Sequence, residues 1–256
     1  MDEIAQTLAA RLVEGLNKKP TNERIIAGLA GVPASGKSTL AQLVVQHTNA
    51  LLASQAADLL EVPPAILVTQ DGWHLPRSAL DAMPDPKEAH DRRGAPFTFD
   101  AKGYLAFVKA LRTPVTADVF APTFDHAKKD PVYDDVRIRP QHRVVLIEGL
   151  YALLNVEEWG EAAMLLDERW FVNVPKDIAR TRLVRRHRIT GVAGSWEEAV
   201  WRSNTNDEPN GDLIRAHVAP TTYPFIESLE DTTMVMVVPP ELLPKLGEDV
   251  DEVYWK

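Results

Sequence analysis

"GVPASGKST", residues Gly31 to Thr39, decides how this chain is read. Gly31 and Gly36 bracket four residues, Lys37 and Ser38 follow, and the run matches the Walker A pattern. In such a loop the backbone from Gly31 through Ala34, Ser35 and Gly36 to Thr39 wraps phosphate oxygens. Lys37 reaches the terminal phosphates, and the Ser38 hydroxyl serves Mg²⁺. A guanine-specific site needs Asn-Lys-x-Asp downstream, whereas the Asn17-Lys18 pair precedes the loop and lacks the aspartate. ATP is therefore the expected nucleotide.

The loop makes sense only between a strand and a helix, and its flanks supply both. "RIIAGLAG" (24–31) is an apolar run of the kind a buried parallel strand requires, and residues 38–52 read as a helix. Upstream, Ile4, Leu8, Leu12 and Leu16 recur at helical spacing, which predicts an N-terminal helix within 1–20. Further buried strands are predicted at 65–69, 143–149, 169–175 and 234–238. Strands alternating with helices predict an α/β fold, a P-loop-type parallel sheet flanked by helices, with ligands beyond the carboxyl ends of the strands. The Pro- and Asp-rich stretches 83–100 and 121–135 are too irregular for core elements and read as functional loops or disorder.

Composition narrows the class. With 256 residues, 45% of them hydrophobic, the chain can form one large domain over 1–256. It has no cysteine, which excludes disulfides and thiol nucleophiles and fits a cytoplasmic protein. No apolar run reaches the roughly 18 residues of a membrane span. A net charge of −9 opposes general nucleic-acid binding, which depends on neutralising phosphates with Lys and Arg. The expected partner is a small molecule; self-association is left open.

Two carboxylates are expected at strand ends. "ILVTQDGWH" places Asp71 just past one strand, and "VVLIEGLY" places Glu148 at the end of another. Either can hold Mg²⁺ or take a proton from an attacking hydroxyl. Asp71 before Gly72 also suits a plain turn. His74 reads equally as a substrate contact or a loop histidine.

Arginines form two groups. Arg182, Arg185 and Arg186 fall at i, i+3 and i+4 and share a helix face, so residues 176–194 read as an arginine-bearing lid, with Gly191 and Gly194 as hinges. The competing reading is a solvated basic face. Arg92 and Arg93 either hold an anionic or polyhydroxy substrate or anchor their loop. "TNDEPN" (205–210) reads as a helix N-cap cluster.

Taken in order, "GVPASGKST", "QDGWHL", "VVLIEGLY" and "RLVRRH" resemble the phosphoribulokinase/uridine kinase family, which includes bacterial-type pantothenate kinase. The likeness covers about residues 24–215. "DRRGAPFTFD" and "NDEPN" are similar to its uncharacterised nucleoside-kinase-like branch. The resemblance implies ATP, Mg²⁺ and phosphoryl transfer to a small-molecule hydroxyl. It casts Lys37 and Ser38 as phosphate and metal residues, Asp71 as base and Glu148 as metal support, with Arg182, Arg185 and Arg186 in the lid. Phe124-Asp125 is similar to the nucleoside-binding Tyr-Asp of uridine kinases. Gly72, Trp73 and His74 replace their aromatic pair, so the acceptor is expected among sugars, pantothenate-like molecules or nucleosides. The competing reading is a nucleotide-binding ATPase or regulatory protein without an acceptor.

Overall fold

A computed structural model describes residues 1–56 and 61–228. Its centre is β1 (Ile25–Gly31), buried at every position, as a strand covered on both faces must be. Strand β5 (Val144–Glu148) pairs with it on one side and β6 (Glu168–Asn173) on the other, both parallel. β2 (Ala65–Thr69) extends the sheet beyond β5, and β7 (Phe225–Glu227) extends it beyond β6. The order is β2-β5-β1-β6-β7, so the chain crosses from β1 to β2 on one side and later from β5 past β1 to β6 on the other. Such a reversal opens a crevice beyond the strand ends. The strand predicted at 234–238 lies outside the described residues.

Alternate strand residues feed two cores. Ile25, Ala27 and Leu29 face α1 (Asp2–Asn17) and α2 (Lys37–Gln55), joined by Leu146, Trp170, Leu8, Leu12 and Val44. α1 belongs there because Ala5, Leu8, Ala9, Leu12 and Val13 line one stripe. Ile26, Ala30, Val145, Ile147 and Phe171 face the opposite layer of α5 (Ala101–Leu111) and α6 (Glu157–Met164). An aromatic group made by Trp73, Phe99, Tyr104, Phe107, Tyr151 and Trp159 fills that side. At about 1.5–3 kcal/mol for each large apolar side chain, these layers are the main source of stability.

The two Pro-rich stretches are ordered, contrary to the loop or disorder reading. The first holds α4 (Pro86–Asp91), capped by Asp85 accepting from Glu88 N at 2.9 Å, after the short α3 (Arg77–Asp81). The second is an antiparallel hairpin of β3 (Val119–Asp125) and β4 (Asp130–Ile138). Pro122 sits where its register shifts, and Asp125 closes the turn by accepting from Ala127 N and Lys128 N at 2.9 and 3.0 Å. Proline is tolerated at such an irregularity, which is why composition hides the strand.

The hairpin docks on the turn after β2. A Cβ at Gly72 would lie 2.1 Å from Pro122 O, so only glycine allows this approach. Gly72→Ala is expected to cost roughly 1–3 kcal/mol, the usual penalty of overpacking, read as a lowered unfolding midpoint in denaturant.

Beyond β6 come α7 (Lys176–Ile189), α8 (Trp196–Arg202) and α9 (Glu208–Ala216), the last two joined by a π turn, Ser203–Asp207. Pro209 has no N–H for the preceding turn, and the widened turn sits just before it. Among the described residues no helix is long and apolar enough to cross a membrane.

Candidate active site

Leu29, Glu148 and Thr69 are level across three neighbouring strands. The chain leaving β1 therefore becomes the phosphate loop beside the end of β5, which is Glu148 itself. The chain leaving β2 becomes a 3₁₀ turn, Gln70–Trp73, carrying Asp71. Parallel register thus delivers three predicted motifs to one edge.

Gly36 caps α2 with φ 87°, a left-handed conformation that suits glycine, and Ala34 is also left-handed at φ 61°. The first intrahelical bond runs from Leu40 N to Gly36 O, leaving the N–H groups of Lys37, Ser38 and Thr39 without helical acceptors. This end of the helix suits an anion. Ser35 is fully buried beneath it, and its hydroxyl has no hydrogen-bond partner among the described residues.

Lys37 Nζ lies 3.8 Å from Glu148 Oε1, both side chains being largely buried. Burial pushes the Glu148 carboxyl above its ordinary range; the Asp71 charge adds to this, while Lys37, the Ser38 hydroxyl and Arg186 oppose it. These groups therefore share one electrostatic neighbourhood. The raised value sets the sign of two pH effects. Neutral Glu148 stabilises the free protein fully below the ordinary value of 4.5, and that contribution is lost as pH rises through the folded value. Conversely, the ionised form needed beside Lys37 is lost early on acidification. The acid limb of turnover is expected above the usual carboxylate range and should move in Glu148→Gln, as a pH–rate profile would read.

The oxygen donors here suit a hard divalent cation: one buried carboxylate and one hydroxyl. Among the described residues no cluster of three or more His, Asp or Glu forms a cage. A cation at this edge would lean on phosphate oxygens, as Mg²⁺ does.

On the other side of Asp71, which is solvent-exposed, stands an aromatic wall. His74 Nδ1 donates to Asp71 O at 2.8 Å, which leaves Nε2 for another partner. Its ring stacks on Phe99 at 3.9 Å and meets Phe124 at 4.8 Å. Burial lowers its pKa, favouring the neutral ring. Arg93 lies over Phe124 and donates to Leu75 O and Lys129 O at 2.8 and 2.5 Å, with Asp130 at 3.4 Å. Its guanidinium thus anchors the loop to the hairpin. Asp125 is similarly occupied by its own turn.

α7 carries the predicted arginines on one face. Arg182 donates to Ala34 O of the phosphate loop at 3.3 Å and to Ser228 Oγ at 2.8 Å. Arg185 is half-buried, and exposed Arg186 is near enough to act on Glu148. Gly191 has φ 72° and open space around it, and Gly194 N donates to Glu198.

The N-cap reading of 205–210 is corrected. Helix runs through the π turn from α8 into α9, so no helix starts there to need a cap, and Asp207 makes no capping bond. Asn206 Nδ2 instead donates to Arg93 O at 2.9 Å and Asn210 Nδ2 to Gly94 O at 3.2 Å. Asp207 accepts from His187 Nε2 at 2.8 Å. Two further residues had no assignment from sequence. Tyr151 donates its hydroxyl to Gly94 O at 2.6 Å, and buried Gln70 accepts from Tyr151 N at 2.8 Å. Their only sequence signal was position, each adjoining a strand-end motif.

Known proteins carry the same architecture. No protein-family profile matches the chain. An ATP-dependent kinase-like protein, notR', of Aspergillus versicolor is 53% identical over 147 residues, covering 56% of this chain and 86% of that protein. A uridine kinase-like protein of Schizosaccharomyces pombe is 35% identical over 196 residues, covering 77% of this chain and 80% of its own length. The chain belongs to the phosphoribulokinase/uridine kinase family of P-loop kinases. A solved structure of a fructose transport system kinase-like protein from Silicibacter sp. TM1040 matches with a TM-score of 0.69 and 30% identity, covering 85% of this chain and 98% of that one. Membership in this P-loop kinase family makes the chain an ATP-dependent kinase, while its relatives' names diverge on the acceptor.

Proposed function

We propose that this kinase transfers the γ-phosphoryl group of ATP to a hydroxyl of a small molecule bound between the phosphate loop and the His74–Phe124 wall. The observation that carries this reading is the convergence of Lys37, Glu148, Asp71 and Arg186 at the end of β5. A bare nucleotide binder needs the first two, but has no use for an exposed carboxylate beside an aromatic wall.

The residues divide the work by chemistry. Backbone N–H groups of Gly31–Thr39 and the Lys37 ammonium hold the phosphates. ATP supplies the transferable group, and Mg²⁺, which Ser38 and Glu148 would hold, would neutralise its oxygens. Asp71 accepts the proton of the acceptor hydroxyl as that oxygen forms its bond to phosphorus and the bond to ADP breaks. Arg182, Arg185 and Arg186 close from the 176–194 lid, balancing charge on the transferred group and excluding water, the competing acceptor. His74, Arg92 and Phe124 face the acceptor, and Arg93 braces the loop between them.

The test is a screen of sugars, sugar acids, nucleosides and pantothenate-like hydroxy acids for stimulated ADP release. Acceptor-dependent turnover supports the kinase reading; turnover indifferent to every acceptor contradicts it.

A further inference from the structure

The turn Arg92–Gly94 is held more tightly than a surface loop requires. Asn206 binds the carbonyl of Arg93, while Asn210 and Tyr151 both bind that of Gly94. Asn210 also donates to Asn206 Oδ1 at 3.2 Å, which orients the pair. Gly94 turns the chain with φ 110°. Arg92 N donates to Glu88 O at 2.8 Å, closing the end of α4. Every backbone anchor around Arg92 is thus fixed, from the lid side by the π turn and from the sheet side by the residue three beyond Glu148.

The two arginines held by this turn differ. Arg93 spends its guanidinium on Leu75 O, Lys129 O and Asp130. Arg92 is half-buried, its Nε is shielded from solvent without a partner, and its side chain makes no hydrogen bond or ion pair among the described residues. The nearby carboxylates are committed: Asp91 to Lys87, Asp207 to His187, Asp85 to the cap of α4. Arg92 lies close enough to Tyr151 for its charge to act on that hydroxyl, and the Tyr151 ring meets Phe99, on which His74 stacks, at 5.3 Å. Only its Nε is shielded; the terminal nitrogens that form the fork stay open to solvent and have no protein partner among the described residues to give up when an anion arrives. A planar fork of this kind matches carboxylate or phosphate oxygens.

We propose that Arg92, presented by the Asn206–Asn210–Tyr151 clasp, binds an anionic group of the acceptor, so that the acceptor carries a carboxylate or a phosphate ester besides its hydroxyl. This rests on the kinase reading and narrows its substrate class to acidic polyols. It also gives the π turn a role, as the element that holds the selecting side chain.

The phosphate loop is first filled with a non-hydrolysable ATP analogue. Calorimetric titration then compares gluconate with glucitol, and ribose 5-phosphate with ribose, which separates carboxylate from phosphate recognition. At least one anionic probe is expected to bind about tenfold or more tightly than its neutral counterpart, the worth of a charged hydrogen bond. Arg92→Ala and Arg92→Gln should abolish that preference with the melting temperature and analogue affinity unchanged. No preference in either pair, or a preference surviving both substitutions, overturns the proposal. So does weakened analogue binding, because the bound anion would then be the nucleotide's. The kinase reading fails separately, if the analogue binds yet no hydroxyl compound ever receives phosphate.

Discussion

Asp71→Asn is expected to slow phosphoryl transfer by about 10²–10⁴-fold, the range that loss of a general base costs, and to leave ATP affinity unchanged. The asparagine keeps the shape of the side chain and removes its basicity. Asp71 stands on a turn after β2, exposed, with its own carbonyl taken by His74 Nδ1. Its carboxylate is therefore not needed to hold the turn, which Gln70 ties to Tyr151 and Gly72 fits against Pro122. Three roles separate on this one variant. A turn former would tolerate asparagine with activity intact. A metal ligand would show a raised Mg²⁺ requirement that extra Mg²⁺ restores. A base loses transfer rate alone, measured in single turnover against nucleotide affinity in a binding assay.

Lys37→Ala should lower kcat by roughly 10²–10³-fold, as removal of one aimed electrostatic donor does, and weaken ATP binding as well. The second effect distinguishes it from Asp71→Asn. Lys37 lies at the first position of α2 with its ammonium beside buried Glu148, so truncation also strips that carboxylate of its nearest cation. Glu148 is already driven upward by burial, and loss of the Lys37 charge would drive it further in the same direction. Raising the pH should therefore recover part of the loss in Lys37→Ala, a response that kinetics across the acid limb would read.

The central strands and the phosphate loop were legible in sequence because a strand buried on both faces must be apolar throughout. β1 satisfies this along its whole length, β5 up to its terminal Glu148, and β2 and β6 in their apolar stretches Ala65–Val68 and Trp170–Val172, and their parallel register then fixes where Asp71 and Glu148 emerge. The hairpin escaped because one side meets the Asp71 turn while Phe120 and Tyr133 remain exposed, and two prolines interrupt its pattern. No run of apolar residues marks such an element. The Asn206–Asn210 clasp escaped for another reason. Asparagine before Pro209 carries the composition of a helix start, and only a π turn that continues the helix frees those side chains to reach across to Arg93 and Gly94. Likewise, a sequence cannot show that one of two adjacent arginines spends its terminal nitrogens on the protein and the other does not.

The most direct measurement follows the label from γ-labelled ATP in the presence of acidic polyol acceptors. The label is expected in a low-molecular-weight phosphate monoester, formed in step with ADP and lost in Asp71→Asn. Label appearing only as inorganic phosphate, at a rate no acceptor changes, would contradict a kinase and leave a nucleotide hydrolase.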